Sequence, residues 1–100
     1  MGCSATMIQV GILQVTLYVR GSRSLKEKRK VVRSVIDRLR SRFNVSVAET
    51  GHQELWQRAE LTCCVASTDR RHAQSVLSSA DRLVASDGWA RVVDSSTSFL

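Results

Sequence analysis

The stretch of the chain with the most varied side-chain chemistry covers residues 49–58, with the sequence ETGHQELWQR. In an enzyme that works by acid–base catalysis, His52 would serve as the base and Glu49 or Glu54 would orient its imidazole. No nucleophile, glycine-rich phosphate loop or metal-ligand spacing accompanies these residues, and a catalytic site needs such complementary partners. We therefore expect no enzymatic activity. An enzyme or small-ligand sensor that uses Glu49, His52 and Arg58 is kept as the second of two alternatives to the binding function described below.

Two other interpretations of this stretch are open. In the first it is a structural connection between two strands, in which Leu55 and Trp56 anchor the loop and Arg58 pairs with Glu49 or Glu60. In the second it recognises a protein partner, with Trp56 as the central contact, because tryptophans dominate the binding energy of many interfaces. The residues of this candidate recognition loop are Glu49, His52, Gln53, Trp56, Gln57 and Arg58.

Histidines and cysteines are too few and too scattered to predict a metal centre. Neither His52 nor His72 has a second histidine or a cysteine at chelating distance in the sequence. Cys63 and Cys64 are adjacent in a strand-like run, where their side chains would point to opposite faces. We expect no metal and no cofactor, and cysteines that act as small apolar side chains in a reducing cytoplasm. No apolar run reaches the roughly 20 residues that span a bilayer, so no membrane association is expected.

Positive charge is concentrated in residues 20–42. Ten of the fifteen lysines and arginines lie there against two acids, which gives the segment a formal charge of +8 where the whole chain carries +6. Such a local field attracts polyanions and raises their encounter rate. Free backbone amides and the helix dipole would also favour an anion at the start of a helix. The candidate nucleic-acid or anion-binding residues are Arg20, Arg23, Ser24, Lys26, Lys28, Arg29, Lys30 and Arg33.

Apolar periodicity divides the chain into six elements. Alternating apolar residues predict strands, and apolar spacings of three and four predict helices. Ser24 begins the first helix in a capping box with Glu27, and a cap at residue 67, 68 or 69 begins the second, which ends at Gly88. The predicted order is strand 7–20, helix 25–43, strand 44–49, strand 58–66, the second helix and strand 90–94.

Four further features are expected along this single domain of residues 1–100. A change in the phase of alternation predicts a β-bulge at residues 11–13 of the first strand. Trp89 is expected to fill the core where the last strand begins. Residues 1–6 are interpreted as an N-terminal extension, and residues 95–100 as a frayed tail or an edge extension.

The βαββαβ order predicts an α+β, ferredoxin-like fold, in which two helices cover one face of a four-stranded antiparallel sheet. Right-handed crossovers leave few other ways to connect these elements. The outward positions of the second and third strands are small and only mildly polar, which favours a homo-oligomer that covers this face. The third strand has no aromatic residue and the first has only Tyr18, so stacking of RNA bases on the sheet face is not expected.

Three motifs resemble those of the YlxP-like family of small bacterial proteins, which are grouped as a domain of unknown function. They are RSLKEKR at 23–29, RFNVSVAE at 42–49 and LWQRA at 55–59. The resemblance extends from Met7 to about Val93 and implies a ferredoxin-like domain in a bacterial cytoplasm. Genes of this family commonly neighbour genes for transcription elongation, translation initiation and ribosome maturation, which implies a role near RNA or the ribosome. The resemblance implies no catalytic residues.

Together these patterns predict a small non-enzymatic binding module. Its expected partner is RNA or a ribosomal particle, bound through the basic first helix and the loop that precedes it. The first alternative is a protein–protein interaction or scaffold domain that uses the sheet face and the loop around Trp56.

Overall fold

The computed structural model describes residues 8–100. The fold class is confirmed: the chain forms a βαββαβ, ferredoxin-like α+β fold, with one antiparallel sheet in the order β2-β3-β1-β4 and two helices on one of its faces. The predicted extension at 1–6 lies outside the described residues. The elements are β1 (Gln9–Val19), α1 (Leu25–Arg42), β2 (Ser46–Gly51), β3 (Arg58–Ser67), α2 (Arg70–Ala85) and β4 (Ala90–Phe99). Within the described range neither helix is long and apolar enough to cross a membrane.

Helix α1 begins with the predicted capping box. Ser24 has extended backbone angles, and its hydroxyl accepts a hydrogen bond from the Glu27 amide at 3.1 Å. The Glu27 carboxylate in turn accepts from the Arg23 amide at 3.0 Å. These bonds satisfy amide groups that have no partner inside the helix. One stripe of α1 then packs on the sheet through the buried side chains of Val32, Val35 and Leu39.

Helix α2 begins at the last of its three predicted caps. The carboxylate of Asp69 accepts a hydrogen bond from the Arg71 amide at 2.9 Å. The helix ends at Ala85, before the predicted end at Gly88, and the Ser86 amide closes its last turn. Its buried stripe is rich in small residues, which lets the helix approach the sheet closely: Ala73, Leu77, Ala80 and Val84.

The core lies between the sheet and the helices, and strands β1 and β3 supply its floor. Inward residues alternate along both strands as predicted, and each is at most 6% exposed: Leu13, Val15, Leu17, Val19, Ala59, Leu61, Cys63 and Val65. Burial raises the pKa of the Cys63 thiol to about 11, with smaller contributions from the charges of Cys64 and Asp81. Cys63 is therefore a neutral core side chain at physiological pH, not a reactive thiolate.

The predicted bulge at residues 11–13 is wrong. Strand β1 pairs with β3 without a break from Gln9 to Tyr18, and Gly11 keeps the helix-facing side of the strand. A Cβ atom on Gly11 would lie 2.8 Å from the Leu77 side chain, so a glycine occupies the position where alternation predicts a larger apolar residue. The irregularity in this sheet lies between β1 and β4, at Thr16 and Leu17.

The expectation of a frayed tail at 95–100 is also wrong, and its alternative, an edge extension, describes the structure. Strand β4 continues to Phe99, which pairs with Gly11. The Phe99 ring carries the Arg70 guanidinium 4.2 Å from its centroid, and the Leu100 amide donates to the Val10 carbonyl at 3.0 Å. The serines of this segment are exposed on an edge strand. Because they are polar, the apolar alternation used to predict strands does not extend to this part of β4.

Candidate nucleic-acid interface

Lys28 lies in the first turns of α1 and is completely buried, with 0% of its surface exposed. Its ammonium donates to the carbonyl oxygens of His52 at 2.8 Å, Gln53 at 3.3 Å and Arg58 at 3.0 Å. The prediction that Lys28 belongs to the exposed anion-binding set is therefore wrong. Its spacing from Leu25 and Val32 places it on the buried stripe of the helix, where the pattern otherwise has apolar residues.

The charge of the buried ammonium is balanced by Glu49, whose Oε2 atom lies 3.1 Å from Nζ. A lysine has three N–H donors, and the three carbonyls already use them. Among the described residues, Glu49 Oε2 accordingly has no aligned hydrogen bond and contacts the ammonium as an ion pair. An unpaired buried charge would be very costly, and these four oxygens together replace the water that the ammonium loses.

Because its ligands come from both ends of the β2–β3 connection, Lys28 holds that loop against the start of α1. Further bonds continue the contact: the Gln57 side chain donates to the Ser22 carbonyl at 3.2 Å, and the Val19 amide donates to the Gln57 carbonyl at 2.9 Å. His52 adopts a left-handed conformation at φ +57°, which is uncommon for a residue other than glycine. The loop and the helix start therefore form one structural unit.

This arrangement changes the interpretation of residues 49–58. Leu55 and Trp56 do not anchor the loop, since they are 46% and 56% exposed, and the backbone carbonyls bound by Lys28 hold it instead. Arg58 pairs with neither Glu49 nor Glu60 among the described residues, because Glu49 faces Lys28 and the Glu60 carboxylate accepts from the Thr50 hydroxyl at 2.9 Å.

The candidate catalytic group is not assembled. The Glu49 carboxylate is occupied by Lys28, and the His52 carbonyl, rather than its imidazole, takes part in the cluster. Across residues 8–100 no three His, Cys, Asp or Glu side chains are placed to hold a metal ion. His52, Gln53, Trp56, Gln57 and Arg58 are exposed, so this loop presents its side chains to the solvent.

The opposite side of α1 carries the free positive charge. Lys26, Arg29, Lys30 and Arg33 are exposed and, at spacings of three and four, lie along one side of the helix; we call these four residues the basic face. Arg20 and Arg23 are exposed in the preceding turn. Within residues 8–100, none of these six side chains makes an ion pair or a hydrogen bond to the protein.

Other basic residues of the segment serve the fold. The Arg38 guanidinium pairs with Asp87 at 2.8 Å, and Arg40 donates to the Val47 carbonyl at 2.9 Å. The Ser24 hydroxyl is committed to its capping bond, and the Glu27 carboxylate occupies the first turn of the helix. The helix start is thus less open to an anion than the sequence predicts, and the free charge lies along the basic face.

Trp89 does not fill the core, contrary to expectation, and is 69% exposed. The Asp87 carboxylate accepts from the amides of Trp89 at 2.8 Å and Ala90 at 2.9 Å, which forms a tight turn before β4. Ala90 takes the buried position at the start of the strand, and the indole is turned outward. No pattern in the sequence separates these two adjacent apolar residues, because the turn decides which of them enters the core.

The fold and the exposed side of α1 define a ferredoxin-like domain with a basic helix face. The chain belongs to the family described as "Protein of unknown function (DUF503)", whose family model matches residues 10–97. It is 33% identical over 68 residues to "Uncharacterized protein YlxP" of Bacillus subtilis (strain 168), covering 68% of this chain and 74% of that protein. The YlxP-like resemblance is thereby confirmed.

A solved structure also resembles this fold. It is the crystal structure of a C-terminal segment of the alpha subunit of aIF2 from Pyrococcus abyssi, with a TM-score of 0.48 and 18% sequence identity. The match covers 92% of this chain, which spans about half (49%) of that structure's chain.

The role of Lys28 is testable by substitution with methionine, which keeps the length of the side chain and removes its charge. Lys28→Met leaves three carbonyls and the Glu49 carboxylate without their buried partner, and we expect a loss of about 3–5 kcal/mol in the free energy of unfolding. Urea denaturation measures it. The matched control is Arg29→Met, one residue further along and exposed, which should change stability by less than about 0.5 kcal/mol. Equal stability of the two variants would contradict this role.

Proposed function

We propose that this protein is a non-enzymatic, cytoplasmic module that binds RNA or a ribosomal particle through the basic face of α1. The observation that carries the proposal is that four cationic side chains lie on one exposed side of a helix and form no ion pair within the described part of the chain. The setting implied by the YlxP-like resemblance agrees with such a partner.

The dimensions of the basic face suit a nucleic-acid backbone. From Lys26 to Arg33 the helix rises by about 10 Å, at about 1.5 Å per residue. A stacked nucleic-acid strand rises by about 3.4 Å per nucleotide, so this length meets about three phosphates. Lysine and arginine contacts to phosphates position a protein on the backbone and carry no sequence information. We therefore expect binding that tolerates many sequences and weakens steeply as salt is raised.

The fixed orientation of α1 favours RNA binding by the basic face. Because Lys28 is fixed on the inner side by four oxygens, the helix cannot turn about its axis without breaking those contacts. The basic face is therefore always presented outward. A surface that is ordered before binding loses less conformational entropy when the partner arrives.

Charge reversal tests the proposal against a control of equal net charge. Lys26→Glu, Arg29→Glu and Arg33→Glu together lower the formal charge from +6 to 0, and so do Arg71→Glu, Arg82→Glu and Arg91→Glu at exposed positions elsewhere. We expect the first triple variant to lose at least about tenfold in RNA affinity at low salt, because it removes three phosphate contacts. The control should stay within about threefold of the wild type, since a general field effect is smaller than direct contact.

Gel retardation of ribosomal RNA at two salt concentrations gives the measurement. If the wild type retains no RNA even at low salt, or if both triple variants lose affinity equally, the basic face is not the binding surface.

A second candidate function, protein–protein contact, is favoured by an apolar stripe on the open face of the sheet. Val10 and Ile12 of strand β1 follow one another on this face, and Ile8, directly before the strand, is 56% exposed. Ala66 and Cys64 on β3 pair with Val10 and Ile12 and extend the stripe with small side chains. Exposed apolar patches of this kind are typical of interfaces, and we propose a second copy of the chain as the partner.

Sedimentation equilibrium tests the homo-oligomer. Ile12→Lys places a charge in the middle of the stripe, and we expect it to weaken self-association by at least about tenfold, because an interface core excludes unpaired charge. Ser75→Lys adds the same charge on the exposed side of α2 and should leave the mass distribution unchanged. A wild type that stays monomeric at all concentrations would contradict the proposal.

A further inference from the structure

Beside the basic face lies a groove with an aromatic wall. It runs between the start of α1 and the turn before β4, and Trp89 forms one side of it. The opposite side and the floor come from the first turns of α1 and the β1–α1 connection: Arg20, Gly21, Lys30, Val31 and Ser34. Lys30 and Ser34 also line the outer surface of the basic face, so the groove and that face are continuous.

The backbone of Trp89 is held by hydrogen bonds although its ring is exposed. Its amide donates to Asp87 Oδ2 at 2.8 Å, and its carbonyl accepts from the Arg20 amide at 3.0 Å. Asp87 is itself fixed by the Arg38 guanidinium at 2.8 Å, and its side chain is 8% exposed. The backbone that carries the indole is therefore tied to the start of the β1–α1 connection and, through Asp87, to α1. A large apolar ring held in solvent on an ordered turn is a feature of binding surfaces.

The charged residues around the Trp89 ring indicate which kind of ligand the groove would bind. Arg20 and Lys30 lie in the groove with the indole, and Val31 gives it an apolar floor. Glu27 also lines the groove, and its Oε1 atom accepts from the Arg23 amide. A flat, π-bonded group attached to a phosphate backbone matches this combination, because indole faces stack on bases and cations hold phosphates.

We propose that Trp89 stacks on an unpaired base of the RNA bound by the basic face. The inference rests on the proposed function and adds a preference for unpaired over duplex RNA, since a base inside a duplex has no free face to offer. The backbone continues from the groove across Lys30 onto the basic face. Such stacking does not involve the sheet face and needs no aromatic residue on β3.

The two tryptophans of the chain allow a site-specific test. In the Trp56→Phe variant the only remaining tryptophan is Trp89, and in the Trp89→Phe variant the only remaining tryptophan is Trp56. Each variant therefore reports the fluorescence of one known site. The probes are a short RNA without self-complementarity and the blunt duplex that it forms with its complement. We expect the unpaired RNA to quench Trp89 emission and leave Trp56 emission unchanged.

Affinity measurements complete the test. Trp89→Ala should weaken binding of the unpaired RNA by about fivefold or more, the effect expected for losing one base–aromatic stack, and should leave duplex binding unchanged. Trp89→Phe should keep most of the preference for unpaired over duplex RNA, because a phenyl ring still stacks on a base. Trp56→Ala is the matched control at the other exposed indole and should bind both RNAs as the wild type does.

The outcomes separate the two proposals. If the duplex binds through the basic face but Trp89→Ala binds unpaired RNA like the wild type, or Trp89 emission does not change, the stacking inference is overturned and the proposed function stands. If the wild type binds neither RNA, both are overturned.

Discussion

The structure depends on a charged group at a position where the helix pattern calls for an apolar one. The Lys28 ammonium is withdrawn from water and surrounded by the carbonyls of His52, Gln53 and Arg58 and by the Glu49 carboxylate. Each of these oxygens would be poorly satisfied without it, so helix, loop and strand β2 order one another. An isolated buried ion pair stabilises a fold little, but removing one member of this cluster would leave the others without their partner, so the group as a whole is costly to disrupt.

This constraint decides which side of α1 faces the solvent. With Lys28 inside, the basic face of Lys26, Arg29, Lys30 and Arg33 is turned to the solvent. Glu49, Asp87 and the β2 backbone are bound by other cations of the same helix. Basic residues of α1 that meet an acceptor therefore stabilise the fold, and those that meet none are exposed to solvent and are the ones we propose as the surface for a polyanion.

Much of the fold could be predicted from the sequence, because the spacing of apolar residues and the helix-capping residues indicate the helices and strands directly. The stripe through Val32, Val35 and Leu39 and the Ser24 cap predict α1, and alternation predicts β1 and β3. Tertiary contacts decide the rest. Lys28 fits the stripe by spacing, but its partners are loop carbonyls that no side-chain pattern reveals. Trp89 is exposed because the Asp87 turn buries Ala90, and the polar end of β4 is a strand because β1 offers it a pairing edge.

We propose that RNA lies along the outer side of α1 and reaches the groove at Trp89. Photocross-linking of an unpaired RNA to the wild-type protein, with the linked peptides identified by mass spectrometry, tests this path of the RNA. We expect cross-links concentrated in peptides that contain Lys26 to Arg33 and in the peptide that contains Trp89. Cross-links confined to the open sheet face or to the loop around Trp56, or no cross-links at low salt, would contradict it.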